Sequence, residues 1–222
     1  MKQTLFITGT ATGVGKTVLT ALLVNFLREC GPTCGAGALK PICSGGRADA
    51  RALHAAMDGA LTLDEINPWH FHAPIAPLLA ARQENRRVQR SQVLAHIRAL
   101  QKRFDVVLVE GAGGLLSPLG EDFNSRDLIL ALRALPIIVA QNKLGAVNHV
   151  LLTLEALPKN LRARARVVLM STRRPDTATL SNAKLLAEFT ASKIFSLPWL
   201  GKELRAGKNL QLRRTLHALT AI

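Results

Sequence analysis

The sequence predicts an α/β fold of one domain, residues 1–222, in which helices flank a mostly parallel sheet. Three observations predict it. Strand-length apolar runs alternate with helix-like segments along the whole chain, the pattern of strands joined by crossover helices. The 222 residues are 48% hydrophobic, enough for one buried core. Aromatic residues make up only 4%, with no Tyr, so the core is built from Ala, Leu, Val and Ile, which suits helices packed on a parallel sheet.

In chain order, Leu5 to Thr8 is the first strand and Val18 to Leu27 the amphipathic helix that follows it. A second strand precedes Lys40. Pro74 and Pro77, within the Ala-rich stretch from Ala73 to Ala81, mark a short helix whose entry is fixed by proline. Ser91 stands as the N-cap of a helix on which Leu94, Ile97, Leu100 and Phe104 recur at helical spacing, and that helix crosses over to the strand from Asp105 to Glu110. Pro136 to Ala140 is the next strand, Gly145 opens a helix after it, and Val167 to Met170 and Ile194 to Leu197 complete the sheet. Beyond Pro198 the chain is basic and poorly periodic, which we read as a closing loop and a terminal helix. No repeat or low-complexity linker divides the sequence.

The formal net charge is +14, with thirteen basic against eight acidic residues up to Gly111 and sixteen against seven beyond it. The basic clusters, Arg82 to Arg90, Arg162 to Arg166, Arg173-Arg174 and Arg213-Arg214, lack the interleaved aromatics on which bases stack. They read as solvated faces, and neither nucleic acid nor a membrane is expected as partner. Lys2-Gln3 leads straight into a strand rather than an apolar leader, and no apolar run reaches about 20 residues. Cys30, Cys34 and Cys43 are odd in number and lack the paired spacing of a zinc site, as expected of reduced thiols in a cytoplasmic protein.

The segment Gly9-Thr10-Ala11-Thr12-Gly13-Val14-Gly15-Lys16-Thr17 follows a strand and opens a helix, the setting of a phosphate-binding loop. Glycines let consecutive N–H groups turn onto phosphate oxygens, and the helix N-terminus adds its positive end. Lys16 would bridge the outer phosphates of ATP and the Thr17 hydroxyl would bind Mg2+. The strict motif places glycine at position 10, so the loop counted from Gly9 is one residue longer. With this loop the predicted fold is P-loop NTPase-like.

Glu110 ends the most apolar strand and is followed by Gly111-Ala112-Gly113-Gly114. Ligands of an open parallel sheet gather at the carboxyl ends of its strands, which sets Glu110 beside the loop as a magnesium ligand. Lys40-Pro41-Ile42-Cys43-Ser44-Gly45 follows the second strand, with Asp49 shortly after: a second positive charge for the transferred phosphoryl group and a second metal carboxylate. Asn142-Lys143-Leu144-Gly145 lacks the carboxylate of the guanine-reading motif; Gly145 to His149 instead opens a helix whose free N–H groups suit a carboxylate. His70 and His72 have no third partner for a metal and read as core or surface histidines.

Taken in order, Gly9 to Thr17, Lys40-Pro41 with Ser44-Gly45, Val109 to Gly114 with Pro118-Leu119, Leu144-Gly145 with Asn148-His149, and Pro198-Trp199-Leu200 resemble dethiobiotin synthetase. The resemblance implies a homodimer that joins 7,8-diaminononanoate, CO2 (or bicarbonate) and ATP into dethiobiotin, ADP and phosphate. It implies nucleotide contacts from Gly13, Val14, Gly15, Lys16, Thr17 and Val18, from Asp49, from Glu110, Gly111, Ala112 and Gly113, from Ser171 and Thr172, and from Pro198, Trp199 and Leu200. Thr17, Asp49 and Glu110 would hold Mg2+; Lys16, Lys40 and Thr12 would be catalytic. Ser44 and Gly113 would meet the substrate's reacting end, and Gly145, Ala146, Val147 and Asn148 of the partner subunit its carboxylate.

This chain departs from that family's pattern at Ala11 and Gly13, where acids are usual, and near Ser171-Thr172, where an adenine-reading Asn is usual. Its loop from Ser44 to Asp49 is also shorter. Two alternatives accompany the reading: an ATPase switch of the partitioning or positioning type, which would carry a lysine where this chain has Ala11, and a catalytically impaired relative.

Overall fold

The computed structural model describes residues 2–30, 35–201, 207 and 209–221. Cys34, counted among the thiols above, lies outside the described residues; Cys30 is exposed and Cys43 buried, and both are free.

The elements run β1 (Gln3–Gly9), α1 (Lys16–Glu29), β2 (Ala36–Leu39), β3 (Ile42–Ser44), α2 (Ala48–Ala56), α3 (Leu63–Ile66), β4 (Trp69–Phe71), α4 (Pro77–Gln83), α5 (Arg90–Arg103), β5 (Val106–Glu110), α6 (Ser125–Leu132), β6 (Leu135–Asn142), α7 (Ala146–Glu155), α8 (Lys159–Arg162), β7 (Arg166–Ser171), α9 (Asn182–Phe189), β8 (Lys193–Leu197) and α10 (Leu210–Thr220). Six strands pair in the order β2-β5-β1-β6-β7-β8, every pair parallel, and β3 and β4 form a separate parallel pair. This is the mostly parallel sheet flanked by helices that the alternating pattern predicts. Among the described residues no helix is long and apolar enough to cross a membrane.

The central strand β1 is buried from Leu5 to Gly9, between β5 on one side and β6 on the other. Register sets Ile7 opposite Glu110 and Gly9 opposite Val139, so β5 ends just short of the end of β1 while β6 runs on past it to Asn142. The chain leaves β1 for β2 on one flank and later returns to β6 on the other. A crevice opens at such a reversal, at the carboxyl ends of the strands.

Helix α1 buries Leu19, Leu22, Leu23 and Phe26 against the sheet; each such side chain contributes about 1.5–3 kcal/mol relative to exposure. On the other flank α5 buries Val93, Leu94, Ile97 and Leu100, as its spacing predicts. Its start is one correction: Gln89, in extended conformation and without a side-chain cap, occupies the N-cap, and Ser91 lies inside the first turn. Phe104 closes that helix and lays its ring over β2, where a Cβ on Gly37 would stand 2.7 Å from it. A side chain at that position would therefore displace the ring or the strand.

Pro77 takes the first position of α4, so the helix begins three residues beyond Pro74. His70 lies in β4, 3.3 Å from the Asn67 carbonyl, and His72 lies past its end. The terminal helix α10 is more periodic than its charge suggests: Leu212, Leu216 and Leu219 are buried at i, i+4 and i+7. Arg213 reaches over the Phe26 ring and pairs with Glu29 at 2.8 Å. Arg166 donates to the Leu219 and Ala221 carbonyls, two acceptors that the helix end leaves without partners.

Candidate active site

The loop from Thr10 to Gly15 joins β1 to α1 at the crevice. Gly13 and Gly15 take φ of 74° and 99°, in the left-handed region that glycine enters without strain. Among the described residues the N–H groups of Gly13, Val14 and Gly15 meet no acceptor. Turned inward at a helix N-terminus, such donors suit an anion. Lys16 folds back so that Nζ donates to the Ala11 carbonyl at 2.9 Å. That contact uses only the backbone of Ala11, so the departure there leaves it intact.

Across the crevice stands Glu110, 1% exposed. Its Oε1 accepts from the Thr17 hydroxyl at 2.7 Å and lies 3.0 Å from Lys40 Nζ. Lys40 also pairs with Asp49, which lies in the first turn of α2. Glu110 Oε2, by contrast, is buried without a hydrogen-bond partner among the described residues. A buried carboxylate oxygen without a partner is costly unless a cation meets it. Two carboxylates beside a threonine hydroxyl are the hard oxygen donors that magnesium takes, so the residues fit that ion.

The two lysines respond differently to their surroundings. Burial, helped by the Lys40 charge and opposed by Glu110 and Asp49, lowers the Lys16 pKa to about 8. Burial works against Lys40 too, but Glu110 and Asp49 together outweigh it and hold its ammonium protonated beyond the usual lysine range. Cys43 is raised by burial, opposed by its hydrogen bond to Asn67.

These groups line one cavity of about 790 Å³ that collects Thr12, Gly13, Gly15, Lys16, Thr17, Val18, Lys40, Ser44, Asp49, Glu110, Ala112 and Gly113. Ser44 donates to the Ile75 carbonyl at 2.5 Å, which leaves its oxygen free to accept. The cavity wall also includes Pro74 to Pro77, a stretch legible in sequence only as a helix entry, and Ser117 with Pro118. A second cleft of about 150 Å³ lies behind the loop, where Gly13, Val14, Gly15 and Val18 meet Ser171, Thr172 and Pro198 to Gly201. Gln141 and Met170 also line it; neither stands out in the sequence, because the pairing of β6 with β7 brings them there.

Two groups of expected site residues lie apart. Gly111 does not line the main cavity: its N–H donates to the Ile7 carbonyl at 2.9 Å, and a Cβ on it would meet Ser125 Oγ at 2.6 Å. The turn Gly145 to Asn148 also lies outside the cavity lining of this chain. Gly145, φ 87°, starts α7, and the Ala146 N–H is already bonded to the Lys143 carbonyl at 3.0 Å. Within the turn the N–H groups of Val147 and Asn148 meet no acceptor among the described residues. Leu144 is 80% exposed beside them.

A family model described as AAA domain matches residues 3–203. The ATP-dependent dethiobiotin synthetase BioD of Anaeromyxobacter sp. (strain Fw109-5) is 48% identical over 168 residues, 74% of this chain and 73% of that protein. The one from Akkermansia muciniphila is 38% identical over 189 residues, 85% of this chain and 88% of that protein. That of Anaeromyxobacter dehalogenans (strain 2CP-1) is 42% identical over 201 residues, covering 88% and 89%. Among solved structures, a ParA family ATPase from Chlorobium tepidum TLS superposes with a TM-score of 0.59 at 15% identity, over 99% of this chain and 93% of that one. The pNOB8 ParA bound to nonspecific DNA gives 0.52 at 18% identity, over 99% and 93%. At such identities these two show the fold alone.

Proposed function

The chain belongs to the ATP-dependent dethiobiotin synthetase family and is an ATP-dependent ligase of biotin biosynthesis, and on that premise we propose that it closes the ring of 7,8-diaminononanoate with CO2 through a carbamate and a carbamic-phosphoric mixed anhydride. One amine takes up CO2 and loses a proton, giving the carbamate. A carbamate oxygen attacks the γ-phosphorus of ATP and ADP leaves. The second amine then attacks the carbamate carbon, phosphate departs, and the cyclic urea closes.

The observation that carries this reading is the convergence of Lys16, Thr17, Lys40, Asp49 and Glu110 on one cavity that also holds Thr12, Ser44 and Gly113. Such a site works by positioning and by charge, the two contributions phosphoryl transfer needs most. Lys40, kept protonated by two carboxylates, serves as a fixed positive charge for the developing phosphoryl oxygens and not as a base. Lys16, buried and drawn towards neutrality in the free protein, takes its full charge when polyphosphate replaces the Ala11 carbonyl. Thr12 and Ser44 orient the carbamate and amine, and the Gly113 N–H meets the reacting carbonyl. Thr17, Asp49 and Glu110 would hold Mg2+, which when bound screens the charge of the phosphates.

The far end of the substrate carries a carboxylate, and the Val147 and Asn148 donors of a partner subunit are its site in a homodimer. Adenosine lies behind the loop, by Ser171, Thr172 and Pro198 to Leu200. The residues act as one domain, in the cytoplasm where ATP is supplied. Incubation with diaminononanoate, bicarbonate, magnesium and ATP, followed by mass detection, should give dethiobiotin. A folded, nucleotide-binding protein that gives none would refute the reaction.

A further inference from the structure

The cleft behind the phosphate loop holds a polar group to which no role has been given. At about 150 Å³ it is smaller than the roughly 300–1,000 Å³ that a whole small-molecule ligand fills, so it takes one portion of a ligand. Strands β6 and β7 form one wall, with Gln141 in register with Met170 and Asn142 with Ser171. Residues paired in register share a face of the sheet, and successive residues alternate. Met170 packs on the phosphate-loop face, where its side chain lies 3.2 Å from the place a Cβ on Gly15 would take. Gln141 shares that face. Asn142, one residue on, turns to the other face, where it is buried, donates to the Thr179 carbonyl at 3.1 Å and accepts from Asn182 at 2.9 Å.

Asn142 is thus satisfied and structural, whereas Gln141 is half-buried in the cleft and its amide makes no hydrogen bond among the described residues. The Thr172 hydroxyl is committed to the Arg174 carbonyl at 2.8 Å. Gln141 therefore supplies the cleft with a carbonyl acceptor beside an NH2 donor.

We propose that Gln141 reads the base of the nucleotide that donates the phosphoryl group. Adenine and cytosine present an amino donor beside a ring-nitrogen acceptor; guanine and uracil present a carbonyl acceptor beside a ring N–H. An amide turned through half a rotation matches either pattern, so it holds a base without selecting sharply among them. The inference rests on the nucleotide-dependent reaction proposed above and names the residue that sets its base preference.

Titration calorimetry of ATP, CTP, GTP and inorganic triphosphate against wild type, Gln141→Leu and Gln141→Glu tests it, with dethiobiotin formation measured separately. Gln141→Leu should weaken all three nucleotides about tenfold, the loss of one good hydrogen bond, and leave inorganic triphosphate unchanged. Gln141→Glu, when ionised, only accepts, and it should favour GTP, whose ring N–H and amino group are adjacent donors, about tenfold over ATP and CTP. An unchanged ranking and unchanged affinities in both variants would overturn the assignment. So would a parallel loss of inorganic triphosphate binding, since Gln141 would then support the loop itself. Binding is read here without catalysis: absence of dethiobiotin with these base effects intact would sink the reaction and leave the role of Gln141 standing.

Discussion

Lys40 Nζ stands 3.0 Å from Glu110 Oε1, and both groups are almost wholly out of solvent. The same oxygen accepts from Thr17 while its twin has no partner among the described residues, so Glu110 links the second lysine and the loop hydroxyl and keeps one buried oxygen unused. Glu110→Gln keeps the shape and removes the charge. Turnover should fall about a hundredfold, and the magnesium concentration needed for half-maximal ADP formation should rise. Near-normal turnover with unchanged magnesium dependence would show that Glu110 is a structural acid only.

Lys16→Ala should abolish phosphoryl transfer, by about a hundredfold or more, with the fold intact, because the residue belongs to a pre-formed anion site rather than to the apolar core. Circular dichroism checks the fold and ADP release the chemistry. A variant with near-normal turnover would remove the loop from catalysis.

The same lysine makes a prediction about pH. Its pKa is lowered from 10.5 to about 8, chiefly by burial, so the unfolded chain holds the proton up to higher pH than the folded one. The Lys16 contribution to the stability of the nucleotide-free protein therefore rises as pH climbs from 8 to 10.5. Lys16→Met removes the buried charge and should be more stable than wild type at neutral pH, by at most about 3 kcal/mol, with the advantage shrinking towards pH 10.5. Urea unfolding in chelator at several pH values measures the difference. A constant or growing difference across the window would contradict it.

Base selectivity should be loose, with ATP, CTP and GTP within about a hundredfold of one another at equal magnesium, because phosphate contacts carry most of the affinity. Initial rates with the three nucleotides decide it. A stronger preference for ATP would mean a base pocket more exacting than Ser171, Thr172 and Gln141 provide.

How legible this site is in the sequence depends on how local each part of it is. Gly13, Gly15, Lys16 and Thr17 act through one turn, and their types and spacing expose them directly. Glu110 is legible because a carboxylate at the end of an apolar strand has few other uses. Asp49 reaches Lys40 only because α2 starts where it does, and the short Ser44 to Asp49 loop gives no measure of that. Gln141 and Met170 are invisible until β6 and β7 are paired in register. The strands follow apolar run length closely, as β5 and β7 show. Helix ends do not: Ser91 has the chemistry of a cap, yet the chain turns at Gln89.

If sites are shared between subunits, Asn148→Asp, which sets a like charge beside the substrate carboxylate at those N–H groups, should raise the KM for diaminononanoate and leave ATP binding nearly unchanged, since it touches only the far end of the substrate. Mixed with Lys16→Ala subunits, it should regain activity, because one site of the mixed dimer is then free of both defects. Subunit exchange without recovery would put both residues in the same chain's site.

The central claim is that this chain spends ATP to build a cyclic urea from CO2 and a diamine. Incubation with 13C-bicarbonate, diaminononanoate, magnesium and ATP tests it most directly, with ADP and dethiobiotin quantified together. The account predicts one ADP for each dethiobiotin, with the label in the urea carbon. ADP formed without labelled product, at the same rate with and without the diamine, would contradict it.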